Sequence, residues 1–141
     1  MTLKLPGSFE KAVKLLYYRN YFSDELEQKL LEFGYTEKEI KVAIHKCIDG
    51  KYMNDEVYAK DYIENALAGR RWGYNKIQYK MSEKGVPSEK IKQYLSAYYS
   101  KEKEAEIKEL IIKEKEKKLP VEIDSFKKKG ILQRLLFLKG F

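Results

Sequence analysis

The chain has 141 residues, of which 43% are hydrophobic and 36% are charged. That content supports a buried core, and the sequence has neither an apolar run long enough for a membrane span nor a signal-peptide pattern at its start. Cys47 is the single cysteine, so an internal disulfide is excluded and we expect a protein of the reducing cytoplasm without membrane contact.

The formal net charge of +7 is distributed unevenly along the chain. Residues 1–69 carry 10 Lys/Arg against 12 Asp/Glu, whereas residues 70–100 carry 7 against 2 and residues 101–141 carry 12 against 8. This asymmetry favours a polyanion as the partner of the later part of the chain. The alternative is a solvated lysine surface that serves solubility.

Residues 26–95 contain two copies of one helical pattern at a constant spacing of 51 residues. The matching positions are Leu26, Leu30, Gly34, Tyr35, Ile40 and Ile44 in the first copy and Ile77, Met81, Gly85, Val86, Ile91 and Leu95 in the second. Such a period is typical of a repeat array, in which no unit buries its apolar face alone. The pattern therefore predicts a binding surface rather than a catalytic pocket.

The first unit is predicted to hold three helices. An apolar stripe predicts the first helix over residues 9–22, and Ser23 is the expected N-cap of the second. Gly34 ends the second helix, because glycine readily takes the left-handed conformation of a helix end. Thr36 and Glu39 then have the spacing of a capping box at the start of the third.

The second unit is predicted to begin at Asn54, a residue type that favours the N-cap. Glycines on both sides of Arg70-Arg71-Trp72 predict an open turn, followed by helices over about residues 74–84 and 88–99. The apolar positions expected in the core of its first helix are Val57, Ala59, Ile63, Ala66 and Leu67.

The third unit is predicted to be looser and incomplete. A Lys/Glu-rich helix ends near Leu119-Pro120, and a last helix ends at Gly140-Phe141, where a further helix would follow in the earlier units. The Lys/Glu-rich helix has an interrupted apolar stripe of Ala105, Ile107, Leu110 and Ile111. We therefore predict an all-α fold of tandem three-helix repeats in an elongated, curved array, with units at residues 1–50, 51–100 and 101–141, the last lacking its final helix.

These motifs resemble those of the RecX family of bacterial regulatory proteins. The segment from Tyr18 to Leu26 resembles the first-unit pattern of the family, the segment from Gly50 to Tyr62 resembles the start of its second unit, and Lys139-Gly140-Phe141 resembles the ending of a third-unit helix. The resemblance extends from about Ala12 to the end of the chain. The family usually continues past the Gly-Phe pair with another helix.

The resemblance implies a modulator of the RecA recombinase, active in DNA repair, DNA recombination and the SOS response. A protein of this kind lodges in the groove of the RecA–DNA filament and inhibits strand exchange, ATP hydrolysis and co-protease activity. The resemblance also implies weak binding to single- or double-stranded DNA. We expect a monomer without a cofactor.

A basic, aromatic cluster in the second unit supplies the candidate contact residues. Lysines at positions i, i+4 and i+8 of one predicted helix share a face, and two arginines and a tryptophan precede them. Cations beside aromatic rings suit phosphate contact and base stacking, or an acidic protein surface. The candidates for RecA or DNA contact are Arg70, Arg71, Trp72, Lys76, Lys80, Lys84, Arg134 and Lys139.

Several of these candidate residues also have a structural interpretation. Trp72 is also expected as a partly buried packing residue. Arg19 and Arg70 share the repeat spacing, and an arginine at a helix end can bind free carbonyl groups and pair with a carboxylate. Any single lysine can equally be part of a solvated face.

The sequence argues against an enzyme and against a metal site. His45 and Cys47, the one histidine and the one cysteine, lie two apart on a predicted helix and so point in different directions. A general nucleic-acid-binding protein that acts without RecA remains the main alternative. Sequence-specific DNA reading is disfavoured, because the candidate recognition helix over residues 37–46 has no Arg, Asn or Gln.

Overall fold

The computed structural model describes residues 6–141, and over that range the chain is all-helical. Residues 1–5, which belong to the predicted first unit, lie outside the described range. The helices are α1 (Ser8–Tyr18), α2 (Ser23–Glu32), α3 (Glu37–Asp49), α4 (Asp55–Ala68), α5 (Tyr74–Glu83), α6 (Ser88–Tyr98), α7 (Lys101–Lys118) and α8 (Ser125–Leu138). None of these described helices combines the length and the apolar character needed to cross a membrane. The predicted all-α tandem architecture is confirmed.

The described residues form two hydrophobic cores, one for each of the first two units. Helices α1 and α2 pack on α3 around Leu26, Leu30 and Ile40, and α4 and α5 pack on α6 around a second set of buried residues. Ile107 and Ile111 of α7 belong to this second core, whereas α8 buries no residue fully. Helices α7 and α8 therefore extend the second core along the chain.

Two local motifs predicted for the first unit are confirmed, the helix end at Gly34 and the capping box of Thr36 and Glu39. Gly34 has a φ of +94° and ends α2, while the N–H of Tyr35 donates to the carbonyl of Leu30 at 3.3 Å. The hydroxyl of Thr36 accepts from the N–H of Glu39 at 3.2 Å, and the carboxylate of Glu39 accepts from the N–H of Thr36 at 3.1 Å. These contacts satisfy amides that have no partner within the helix.

Several predicted details are wrong. Helix α1 ends at Tyr18 rather than at Phe22, because the chain leaves the helix to bury Phe22 elsewhere. Ser23 is the first residue of α2 and not its cap; its N–H donates to Asp55 at 2.8 Å. Val57, predicted as a core residue, is 55% exposed, and Leu110, part of the predicted apolar stripe of the Lys/Glu-rich helix, is 45% exposed.

The junction between the first two units depends on Phe22. Its ring is buried and stacks on Tyr58 of α4 with 4.4 Å between the ring centroids. Asp55 at the start of α4 accepts hydrogen bonds from both the N–H and the hydroxyl of Ser23. The first unit thus inserts a side chain into the core of the second, which fixes how the two units pack.

The junction of α8 with the second unit is made by backbone atoms. The N–H of Gly73 donates to the carbonyl of Lys139 at 2.7 Å, and the N–H of Asn75 donates to the carbonyl of Gly140 at 3.0 Å. The C-terminal carbonyls of α8 thereby satisfy N-terminal amides of α5. A Cβ added at Gly140 would lie 2.5 Å from the Cβ of Lys76, so this approach requires glycine.

Candidate functional site

An open groove of about 820 Å³ lies between the first two units, and it is called the inter-unit groove below. Five basic and three acidic side chains line it, so its balance is positive. The lining residues are Arg19, Asn20, Tyr21, Glu25, Gln28, Lys29 and Glu32 of the first unit and Tyr58, Tyr62, Arg70, Trp72, Lys80, Glu83, Lys84 and Gly85 of the second.

The two units line the groove with equivalent residues. At the repeat spacing of 51, the pairs are Arg19 with Arg70, Tyr21 with Trp72, Lys29 with Lys80 and Glu32 with Glu83. Even the ion pairs repeat: Lys29 lies 3.6 Å from Glu32, and Lys80 lies 3.6 Å from Glu83. The groove therefore presents the same face of successive units to one ligand.

Trp72 lies at the centre of the cations of the second unit. Its ring has Arg70 at 4.9 Å, Lys76 at 5.2 Å and Lys80 at 5.9 Å from the centroid. The turn that carries it is held on α4, since the N–H of Trp72 donates to the carbonyl of Ala66 at 2.9 Å. A positioned ring among cations suits stacking of a base together with contact to phosphates. Trp72 is partly buried against the second core, as the packing alternative expected.

Arg19 and Arg70 differ in their contacts despite their equivalent positions. Arg19 donates to the carbonyl of Asn20 at 2.9 Å and to the carboxylate of Glu25 at 3.1 Å, and it stacks on Tyr21. These are the structural contacts expected of an arginine at a helix end. Among the described residues Arg70 makes no ion pair, so its guanidinium can contact a ligand.

Glu25 joins the two sides of the groove. Its carboxylate lies 3.3 Å from the ammonium of Lys84, which also lies 5.7 Å from the centroid of Tyr62. Burial raises the pKa of Tyr58 to about 12, and Glu25 contributes to the increase. Burial also raises the pKa of Tyr62. A tyrosine hydroxyl is protonated at neutral pH with or without these increases, so both groups are potential donors to an anion.

Arg71 points away from the groove. It has a φ of 58°, and its Nη2 donates to Oε1 of Glu114 on α7 at 3.0 Å. It belongs to a second cavity of about 250 Å³ between α7 and α8, which is called the basic hollow below. The lining residues of the basic hollow are Arg71, Ile111, Glu114, Lys115, Lys118, Leu135 and Lys139.

The structure thus divides the eight predicted contact residues. Lys76 lies beside the ring of Trp72 and under Gly140, while Arg134 is exposed on α8 and lines neither cavity. The groove brings together Arg70, Trp72, Lys80 and Lys84. The basic hollow contains Arg71 and Lys139.

The contribution of the first unit to the groove was not predicted from the sequence. Lys29 and Tyr21 could have been found, because they share the repeat spacing with Lys80 and Trp72. His45 is an exposed residue that lies 3.6 Å from Asp49, as expected for a helix surface. Within residues 6–141, no group of three or more His, Cys, Asp or Glu side chains is placed to hold a metal ion.

Two protein-family models match the chain. The model for the first three-helix domain of RecX matches residues 9–47, and the model for the second three-helix domain of RecX matches residues 54–95. Together they span more than half of the chain. Both matched ranges carry residues of the inter-unit groove.

Individual relatives agree with the family models. The regulatory protein RecX of Caldanaerobacter subterraneus subsp. tengcongensis is 33% identical over 130 residues, which are 92% of this chain and 62% of the relative. That of Clostridium perfringens is 37% identical over 123 residues, which are 83% of this chain and 54% of the relative. The chain therefore spans about 54–62% of the length of these relatives.

Solved structures show the same fold. The crystal structure of RecX from Lactobacillus salivarius superposes with a TM-score of 0.78 at 23% identity, covering 95% of this chain and 86% of that one. A second crystal structure of a regulatory protein RecX gives a TM-score of 0.73 at 19% identity, over 95% of this chain and 65% of that one.

Proposed function

The chain belongs to the RecX family of regulatory proteins, and from that premise we propose that it binds the RecA–DNA filament and inhibits its recombinase, ATPase and co-protease activities. The observation that carries this proposal is the inter-unit groove, where two units present equivalent Arg, aromatic and Lys side chains in register. A filament is itself a repeating ligand, so a repeated contact surface suits it.

The charged side chains and the aromatic rings of the groove suit contact with both the DNA and the protein of such a filament. Cations of the groove attract DNA phosphates and also acidic side chains on a protein surface. Trp72 and Tyr62 add aromatic faces for stacking. Glu32 and Glu83, each paired with a lysine, moderate the positive charge, which fits weak rather than tight binding to DNA alone.

A second candidate function is general nucleic-acid binding without RecA. The three cations around Trp72 favour it, because this arrangement is common where proteins hold single strands. The two functions differ in what the protein does to RecA that is already on DNA. A general binder competes for DNA, and so it acts only when it approaches the concentration of binding sites.

The experiment is DNA-dependent ATP hydrolysis by RecA filaments, titrated with this protein at moderate salt. Inhibition at amounts well below those of RecA supports action on the filament. Unchanged hydrolysis at excess protein contradicts the proposal. Inhibition that disappears when more DNA is supplied indicates the general binder instead.

We further propose that the protein acts in the cytoplasm as a monomer and without a cofactor. The processes in which it would act are DNA repair, DNA recombination and the SOS response. The unit boundaries at residues 50 and 100 are part of the same proposal, with α7 and α8 as the described part of a third unit.

A further inference from the structure

The basic hollow is a concentrated positive site outside the inter-unit groove. Arg71, Lys115, Lys118 and Lys139 line it, and Glu114 is the one carboxylate among its lining residues. The cations come from three separate segments: the turn before α5, helix α7 and the end of α8. Their convergence is therefore a product of the fold, unlike a run of lysines along one solvated helix face.

The backbone of Arg71 is in the left-handed region, with a φ of 58°. Residues with a Cβ adopt this region reluctantly, and glycine is the usual choice. The conformation turns Arg71 towards α7 while its neighbour Arg70 lines the groove. Lys51 has the same conformation and lines neither the groove nor the hollow, so the backbone of Arg71 matters here only because it places the guanidinium beside the lysines of α7 and α8.

Glu114 presents a carboxylate to Arg71 through two parallel hydrogen bonds. A phosphate offers the same pair of oxygens to a guanidinium, so Glu114 occupies the position that a phosphate would take. The hydrogen bond from Arg71 lowers the pKa of Glu114, and a glutamate is ionised at neutral pH in any case. The side chains of Arg71 and Glu114 are 33% and 55% exposed, so the pair is accessible to a competing anion.

The backbone of Lys139 takes part in the junction of α8 with the second unit, but among the described residues its ammonium forms no ion pair there. Lys139 and Gly140 after α8 correspond to Lys84 and Gly85 after α5, at a spacing of 55 residues. Lys84 pairs with Glu25 of α2, but the residue of α5 that corresponds to Glu25, 51 positions further on, is Lys76, which has the opposite charge. Backbone hydrogen bonds to Gly73 and Asn75 hold this second junction instead. The positive charge of Lys139 is therefore available to a ligand of the basic hollow.

We propose that the basic hollow is a phosphate-binding subsite for a nucleic-acid backbone, in which a phosphodiester displaces Glu114 from Arg71. The subsite rests on the DNA-binding part of the proposed function. It extends the contact surface beyond the groove to α7, and it gives Glu114 the role of a competitor that weakens binding.

The test is the affinity of each variant for a short oligothymidylate, measured by fluorescence anisotropy across a salt titration and without RecA. Glu114→Gln removes the competing charge and should tighten binding about two- to fivefold. Lys118→Gln leaves the Arg71–Glu114 pair intact and should weaken binding, with the slope of log affinity against log salt falling by about 0.7 for a lost phosphate contact. Lys117→Gln is the matched control, since Lys117 is the neighbouring lysine on α7 but does not line the hollow.

If the Arg71–Glu114 pair is purely structural, the variants should differ in their effects on affinity and stability. In that case Glu114→Gln lowers the thermal midpoint and leaves the affinity unchanged or weaker, and this result overturns the proposal. Equal effects of Lys118→Gln and Lys117→Gln overturn it as well, because they indicate net charge alone. Competition by inorganic phosphate is measured as well. If inorganic phosphate displaces the oligothymidylate fully at a concentration comparable to that of the oligonucleotide phosphates, the ligand of the basic hollow is a free phosphate and not a nucleic-acid backbone. Since RecA is absent, none of these outcomes depends on filament inhibition.

Discussion

Lys84, which follows the last residue of α5, and Glu25 on α2 form an ion pair, 3.3 Å between Nζ and Oε2, that joins the second unit to the first. The same carboxylate accepts from Arg19 at 3.1 Å and from the N–H of Phe22 at 3.3 Å. Phe22 is the residue that enters the second core. One glutamate therefore stabilises the junction and neutralises two of the five cations of the inter-unit groove.

Replacing Glu25 should lower the stability of the protein and raise its affinity for oligonucleotides. Glu25→Gln leaves Arg19 and Lys84 without their shared carboxylate, so we expect the free energy of unfolding to fall by about 1–2 kcal/mol in chemical denaturation. The groove becomes more positive, so affinity for oligonucleotides should rise at the same time. Glu27→Gln on the same helix is the control and should change neither quantity appreciably. Loss of affinity in the Glu25→Gln variant would contradict the assignment of the groove as an anion site.

Trp72 provides a direct signal for occupancy of the groove, because it is the only tryptophan of the chain. If bases stack on its ring, the tryptophan fluorescence should be quenched on addition of oligothymidylate, and added salt should reverse the quenching. Arg70→Gln and Lys80→Gln should each shift this titration to higher DNA concentration. Binding seen by anisotropy without any change in fluorescence would show that DNA contacts a different surface.

Gly140 lies close to Gly73, so alanine substitutions at Gly140 and at Gly130 should have very different effects on stability. Gly140→Ala places a Cβ against Lys76 at a φ of +94°, so it should destabilise the protein by about 2–3 kcal/mol. Gly130→Ala lies within α8 with nothing within 4 Å of the added Cβ, and it should stabilise by about 0.5–1 kcal/mol. Thermal unfolding of both variants tests the pair. Equal effects would mean that the end of α8 is not docked on α5.

Because Tyr58 is partly buried, its hydroxyl should ionise at a higher pH than that of an exposed tyrosine. Its pKa is raised to about 12, whereas an unfolded tyrosine ionises near pH 10. The unfolded state therefore loses this proton first, so the stability that Tyr58 contributes is complete below about pH 10 and is lost as the pH rises towards 12. Near-ultraviolet absorbance of the phenolate should show that Tyr58→Phe removes a late step. Removal of a step near pH 10 instead would contradict the burial of this ring.

Features that depend on near neighbours in the chain were predictable. The capping box of Thr36 and Glu39, the cap at Asn54 and the turn at Gly34 each involve residues only a few positions apart. The repeat spacing likewise indicated which apolar residues of α2 and α5 are buried. The energies of these motifs are local, so the sequence alone determines them.

Features that depend on packing between units were not predictable. Phe22 continues the apolar pattern of α1, but the second core buries its ring, and that core is formed by residues more than 30 positions away. Arg70 and Arg71 are adjacent in sequence, and their separation into two cavities follows from the left-handed backbone of one residue. The sequence therefore indicated a basic cluster, and packing divided it into a groove and a hollow.

The inter-unit groove is proposed to contact the RecA–DNA filament, so substitutions within it should weaken inhibition. The most direct measurement is inhibition of filament ATP hydrolysis by the wild-type protein, by the Arg70→Gln/Lys80→Gln double variant and by Lys92→Gln, whose lysine is exposed on α6 outside the groove. We predict that the double variant needs at least about tenfold more protein for half inhibition, since each lost charged contact contributes about 1 kcal/mol or more. We predict that Lys92→Gln behaves like the wild type. Equal inhibition by all three proteins would show that the inter-unit groove does not contact the filament.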